Sequence, residues 1–177
     1  MEDRRVRRTR RTLHDALLAL VLEKGYEQIT VQDILDRADI GRSTFYTHYR
    51  DKDALLFTSF EDLHAQLQTE LGPPGALADP ARPAEVLFDH AYRYQRIYRA
   101  LCGRSGGALV HRHLHRLIGD LLRAHLGSTD RNAEVAAEYY TSAMLGLLIW
   151  WVDNDFRDGP AWLARSYRDL AQPSVNR

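Results

Sequence analysis

Arg42, Ser43, Thr44, Tyr46 and Thr47 crowd into one short stretch made of hydroxyls and a single guanidinium. Such groups donate and accept hydrogen bonds in fixed directions, and a guanidinium engages two acceptors at once. That is the chemistry of base edges and phosphate oxygens. At helical spacing Arg42, Ser43, Tyr46 and Thr47 share one side, whereas Phe45 and Tyr49, four apart, share the other with Ile40. A merely solvated surface would be served as well by Glu and Lys, which favour helix more than the residues at 43–47 do. A local cost of this kind marks a functional surface.

Lys52 is the second candidate. Asp51 is placed to cap the following helix, so Lys52 falls in its first turn, where the positive end of the macrodipole disfavours a cation. A phosphate held by the free amides and by Lys52 reverses that sign.

The elements that must position these groups lie in residues 29–56, where two short helical patterns flank a tight turn and a longer pattern follows. Thr30 and Asp33 form a capping box, with Ile29 and Ile34 as its hydrophobic staple. Val31, Ile34, Leu35 and Ala38 give that helix an inward face. Asp39 suits the left-handed conformation a sharp turn needs, and Gly41 is an acceptable N-cap for a second helix beginning near Arg42. The arrangement is a helix-turn-helix candidate.

The run Thr30-Val-Gln-Asp-Ile, the segment Gly41-Arg-Ser-Thr-Phe-Tyr-Thr-His-Tyr and Asp51-Lys-Asp-Ala-Leu-Leu resemble the N-terminal DNA-binding domain of the TetR family of transcriptional regulators. The likeness covers roughly the first third of the chain. It implies that Arg42, Ser43, Thr44 and Thr47 read base edges. Thr30, Tyr46, His48 and Lys52 would grip phosphates, with Gln32 in the same DNA-binding set. One departure is Asp39, where most members carry Gly.

Composition is consistent with such a module but does not demand it. The 177 residues suffice for one well-packed domain or two small ones, and 24 basic side chains balance 24 acidic ones. The asymmetry is local: Arg4, Arg5, Arg7, Arg8, Arg10 and Arg11 form a basic arm ahead of the first helix, a candidate phosphate or minor-groove contact. Cys102 is the only cysteine, which excludes an intrachain disulfide. No apolar segment follows the arginines, and the apolar run at 143–152 is too short to span a bilayer, so a soluble, cytoplasmic protein is expected.

Beyond the motif every pattern is helical, and the expected fold class is all-α. A first helix runs from Arg11 to Lys24, with Leu13, Ala16, Leu17, Leu20 and Val21 inward. A connecting helix spans 52–70, with Leu56, Phe60, Leu63 and Leu67 on one stripe, and a Pro- and Gly-rich linker occupies 72–83. Residues 84–102 form a helix interrupted near Gln95, and Gly103 to Gly107 make a turn. A helix carrying Val110, Leu114, Leu117 and Leu121 ends at Gly127. The next, from about Ala133 to Asp153, is apolar on every face at 143–152, so it needs a second packing partner, most simply another copy of the chain. Asp158-Gly159-Pro160 opens a last helix with Trp162, Leu163, Tyr167 and Leu170 inward. The expected domains are 1–51, which meets DNA, and 52–177, which binds an effector and dimerises.

The TetR resemblance further implies a homodimer through the last two helices, double-stranded DNA carrying a palindromic operator as partner, and a repressor released by a small molecule. Tyr94, Tyr98, Trp150 and Trp151, with Tyr92 nearby, are candidates for the effector pocket, since aromatic walls with a few hydroxyls suit a drug-sized ligand. His111 and His115 share a helix face at a zinc-binding spacing, but no third ligand completes a site, so solvated or interface histidines are expected. No phosphate loop, nucleophile elbow or metal quartet supports catalysis, and no cofactor is implied. The alternative function is a helical ligand-binding or protein-interaction module that has lost specific DNA binding.

Overall fold

Leu13, Leu17, Leu20 and Val21 bury one side of α1 (Arg4–Lys24), and around this side the first helices assemble. The computed structural model describes residues 4–72, 81–102, 107–126 and 131–171; among these every regular element is helical. A single 3-10 turn (Tyr26–Gln28) leads into α2 (Val31–Ala38) and α3 (Arg42–His48), and α4 (Lys52–Leu71) follows. The C-terminal half comprises α5 (Arg82–Arg93), α6 (Gln95–Cys102), α7 (Ala108–Leu126), α8 (Arg131–Asp153) and α9 (Gly159–Ala171). α1 packs on α2, α4 and α6; α4 packs on α5 and α7; α7 packs on α8 and α5 on α9.

The local signals in the motif act as expected. Thr30 Oγ1 accepts from the Asp33 amide at 3.2 Å while Asp33 Oδ2 accepts from the Thr30 amide at 2.7 Å, closing the capping box. Asp39 ends α2 in the left-handed region, with φ 51° and ψ 48°. Asp51 caps α4 by accepting from the Ala54 amide at 2.7 Å. Gly72 closes α4 at φ 83°, and Tyr94 separates α5 from α6.

Four expectations are corrected. The arginines do not form an arm ahead of the first helix; they are the first turns of α1, because Arg favours helix and neither Pro nor Gly interrupts the run. The linker is shorter than 72–83: α5 begins at Arg82, its first turn fixed by Pro83, and 73–80 lie outside the described residues. Trp162 and Leu170 do not face inward, being 39% and 75% exposed; Leu163 and Tyr167, with Ala164, carry the inner side of α9. The whole of α8, not the run at 143–152 alone, is long and apolar enough to cross a membrane by length and composition. Its Ala137, Met144, Leu145, Leu148, Trp151 and Val152 are buried in the chain itself, as in the core helix of a globular protein. The turn at Gly103 to Gly106 and the stop at Gly127 lie outside the described residues.

Two histidines are built into this core. His90 is 7% exposed, with Nδ1 3.1 Å from the Tyr98 hydroxyl. His14 on α1 is half-buried, with Nδ1 2.8 Å from Ser59 Oγ and Nε2 3.3 Å from the Tyr49 hydroxyl. Burial disfavours the imidazolium and holds both pKa values below the usual 6.5, although Asp62 and Asp15 near His14, and Glu70 and Asp89 near His90, pull the other way.

Two outcomes are expected. Because the unfolded chain binds protons that the folded histidines refuse, stability is full above pH 6.5 and falls as pH drops through that value toward the folded pKa. Melting temperatures taken between about pH 7 and pH 5 should therefore decline, and His90→Gln should flatten the decline; an unaltered slope in that variant would refute it. At Asp39, replacement by Val should lower stability by about 1–2 kcal/mol in urea unfolding, whereas Gly should leave it within about 0.5 kcal/mol.

Candidate nucleic-acid interface and the cavity behind it

α3 owes its orientation to two buried rings. Phe45 is 0% and Tyr49 5% exposed, 5.9 Å apart between centroids, and both sit in the core shared with α1 and α2. The opposite side of the same helix is then obliged to face out. Arg42, Ser43, Thr44, Tyr46 and Thr47 are all exposed and His48 is half-buried.

Arg42 is steered by the helix before it. Its Nη2 donates to Gln32 Oε1 at 3.1 Å, and Gln32 Nε2 donates to Asp36 Oδ1 at 2.7 Å, so a polar chain crosses the turn and holds the guanidinium at the front of α3. The remaining N–H groups of the fork are available to a partner. Thr47 Oγ1 donates back to the Ser43 carbonyl at 2.9 Å, so toward a partner this hydroxyl can only accept. Thr30 is exposed, but its hydroxyl proton goes to Asp33 Oδ2 at 2.6 Å within the cap. The Lys24 ammonium, 2.9 Å from Asp33 Oδ1, helps hold that carboxyl well below the usual carboxylate range.

Lys52 already has partners within the chain. Its Nζ donates to the carbonyls of Ile29 at 2.8 Å and Tyr26 at 3.1 Å and lies 4.5 Å from the centre of the Tyr26 ring. Tyr26 in turn donates its hydroxyl proton to Asp53. Short-range sequence reasoning missed this because both carbonyl partners come from the turn before α2. The basic first turns of α1 lie beside α3: Arg5, Val6 and Thr9 line one shallow cleft with Ser43, Thr44, Thr47 and His48.

Behind this unit α1, α4, α5, α6 and α7 line a cavity of about 270 Å³ that is partly open to solvent. Leu18, Leu56, Phe60, Leu63, Ile97, Leu101 and Leu114 supply most of its apolar wall; His14, Ser59, His90, Tyr94, Tyr98 and Cys102 supply polar atoms, joined at the exposed edge by Asp62 and Gln66. Of the aromatic residues singled out in the sequence, Tyr94 and Tyr98 line this cavity. Trp150 and Trp151 do not. Trp151 is fully buried against Phe156 and Tyr92, its Nε1 donating to the Arg157 carbonyl at 2.6 Å, and Trp150 is 47% exposed on the outer face of α8. Periodicity puts an aromatic on a helix but does not tell which neighbour that face meets.

Sequence reasoning missed His14 and His90. Each is a polar residue inside an otherwise apolar stripe, which was the available signal: His90 falls between Leu87 and Tyr94, and His14 beside Leu13 and Leu17. Elsewhere His115 Nε2 lies 3.1 Å from Glu138 Oε1, and His113 stacks on Phe57 and Phe60. Among the described residues no group of His, Cys, Asp and Glu is placed to hold a metal.

Comparison with known proteins agrees with this geometry. Residues 13–58 match the model of bacterial regulatory proteins of the tetR family, and residues 81–172 match that of a transcriptional regulator C-terminal region. Among curated proteins, the chain is 32% identical to the uncharacterized HTH-type transcriptional regulator YxbF of Bacillus subtilis (strain 168), over 93% of this chain and 45% of that protein. It is 34% identical to the HTH-type transcriptional regulator TcmR of Streptomyces glaucescens, over 78% of this chain and 55% of that one. The chain thus spans about half the length of these two relatives. Among solved structures, a TetR transcriptional regulator from Streptococcus agalactiae shares the fold with a TM-score of 0.75 at 23% identity, covering 97% of both chains. The dihydroxyacetone kinase operon activator DhaS does so with a TM-score of 0.67 at 18% identity, covering 92% of this chain and 93% of its own. With one signature in the helix-turn-helix and a second over more than half its length, the chain belongs to the TetR family of transcriptional regulators.

Proposed function

We propose that the protein is a homodimeric, sequence-specific DNA-binding regulator that represses from a palindromic operator and is released by a small molecule. The observation that carries this reading is the outward face of α3: Arg42, held by Gln32, stands with Ser43, Thr44 and Thr47 beside the basic first turns of α1. Guanidinium and hydroxyls on a short exposed helix suit base edges in the major groove. The arginines of α1, Tyr46 and His48 suit the flanking phosphates. Lys52 spends two of its N–H groups on carbonyls and keeps a third for a phosphate.

Residues 1–51 are assigned to DNA contact and 52–177 to effector binding and dimerisation. Dimerisation is supported by the outer faces of α8 and α9, where Val135, Tyr139, Trp150, Trp162 and Leu170 are all exposed. On α8 these stand in line with Gly146, where an added Cβ would meet open space, so a second helix can approach closely there. Twofold pairing through this face predicts two copies of α3 about 34–36 Å apart, or a multiple of it, the spacing that successive turns of one DNA face require.

Selection of sites from random DNA should return a palindrome, and affinity for it should fall steeply with salt. Arg42→Ala should cost about 1–3 kcal/mol and relax preference at one position of each half-site, whereas Lys52→Ala should weaken binding to all sequences alike. No enriched palindrome, or an equal loss on every sequence after Arg42→Ala, would defeat the base-reading role. Trp150→Glu should convert a dimer into a monomer in sedimentation velocity, since a charge would be buried unpaired at the interface; a wild-type chain that sediments as a monomer would defeat the pairing.

A further inference from the structure

The wall of the 270 Å³ cavity is electrically quiet. Neither Lys nor Arg lines it, and its one carboxylate, Asp62, belongs to an exposed residue at the edge. Burial keeps His14 and His90 neutral at ordinary pH, holds the Tyr98 hydroxyl protonated, and pushes the Cys102 thiol up to about 12. An anion entering this space would lose hydration without a lining cation to replace it, and a cation would find only the Asp62 carboxylate at the exposed edge, so the wall favours an uncharged occupant. The rings of Phe60, His90, Tyr94 and Tyr98 offer flat apolar contact. Hydrogen bonding comes from two ends: His90, whose Nδ1 is held by the Tyr98 hydroxyl while Nε2 is left to a hydroxyl, and Ser59 beside His14.

His14 is the one polar side chain that α1 contributes to this wall. It bridges Ser59 on α4 to the hydroxyl of Tyr49, and Tyr49 is the residue that ends α3 and anchors it in the core. A neutral imidazole has one donor and one acceptor, so Ser59 and Tyr49 hold its two nitrogens in opposite roles, and a ligand that turns the ring or exchanges those roles at Ser59 alters the bond to Tyr49. We propose that the cavity takes a small uncharged aromatic alcohol and that His14 passes its occupancy to α3 through Tyr49. The second half of this proposal rests on the protein being a ligand-released DNA binder; the first half stands on the cavity alone.

β-Naphthol, followed by its own fluorescence, is a suitable probe for the full chain, with β-naphthoate as its anionic counterpart. β-Naphthol should bind at one site per chain, more than about tenfold tighter than β-naphthoate, and Leu63→Trp, which fills the cavity, should weaken it at least as much. The site is refuted if β-naphthoate binds as tightly or if Leu63→Trp leaves β-naphthol binding intact. On the selected operator, β-naphthol should reduce wild-type affinity by about tenfold. In Tyr49→Phe, which removes only the hydroxyl, the ratio with and without β-naphthol should fall within about twofold of unity while β-naphthol affinity is preserved. A full response in Tyr49→Phe refutes the relay. If no operator emerges from selection, the DNA-binding function fails and the relay with it, and the titration still decides the cavity by itself.

Discussion

The outward face of α3 depends on two rings pointing inward. A helix of seven residues such as α3 has almost no stability of its own, since the nucleation cost is barely recovered over two turns. Phe45, with no exposed surface, and Tyr49 supply what the backbone cannot; full burial of a side chain such as Phe is worth about 1.5–3 kcal/mol. Once those two are fixed, helical geometry leaves no freedom about where Arg42, Ser43, Thr44 and Thr47 point. The left-handed turn at Asp39 sets the angle of entry, and the Gln32 amide holds the guanidinium at its near end. The low helix propensity of the outer face is thus tolerated because stability comes from the other side.

The helix that receives those rings also serves the rest of the chain. α1 gives its basic first turns to the neighbourhood of α3 and its apolar stripe to α2 and the motif core. A further side packs on α6 and contributes His14 and Leu18 to the cavity wall. The contiguous buried cluster runs from Leu13 to Tyr167 without a gap between the expected domains. A change in the cavity therefore has a short physical path to the outward face of α3, through packed side chains and one pair of hydrogen bonds, with no need for a long chain of intermediates.

The parts of this arrangement that were legible in the sequence are those decided over a few residues. The capping box of Thr30 and Asp33, the turn at Asp39, the cap at Asp51 and the break near Gln95 each depend on a side chain and its immediate neighbours, and each is where the residue types put it. The partners of long-range contacts were not legible. Lys52 spends its charge on carbonyls more than twenty residues earlier, which no local pattern reveals. Trp150 and Trp151 are adjacent, so they point to different sides of α8, and only packing decides which one the core encloses. His14 and His90 looked like flaws in apolar stripes; they lie instead where two stripes from distant segments face a shared cavity.

That cavity lies along α4, and the length of α4 makes small displacements count. At 1.5 Å per residue a helix of 20 residues is about 30 Å long, so a tilt of about five degrees about one end moves the other by roughly 2.5 Å. The end that begins at Lys52 is tied to the turn before α2 by two hydrogen bonds from one ammonium group, so a shift there is carried into the motif rather than absorbed in a loop. Were two chains joined through the exposed faces of α8 and α9, each tilt would add to the separation of the paired α3 helices, and DNA offers no continuous range of separations at which both can reach base edges. In such a pair an occupant much smaller than a nucleotide would shift the paired helices without touching the outward face of α3.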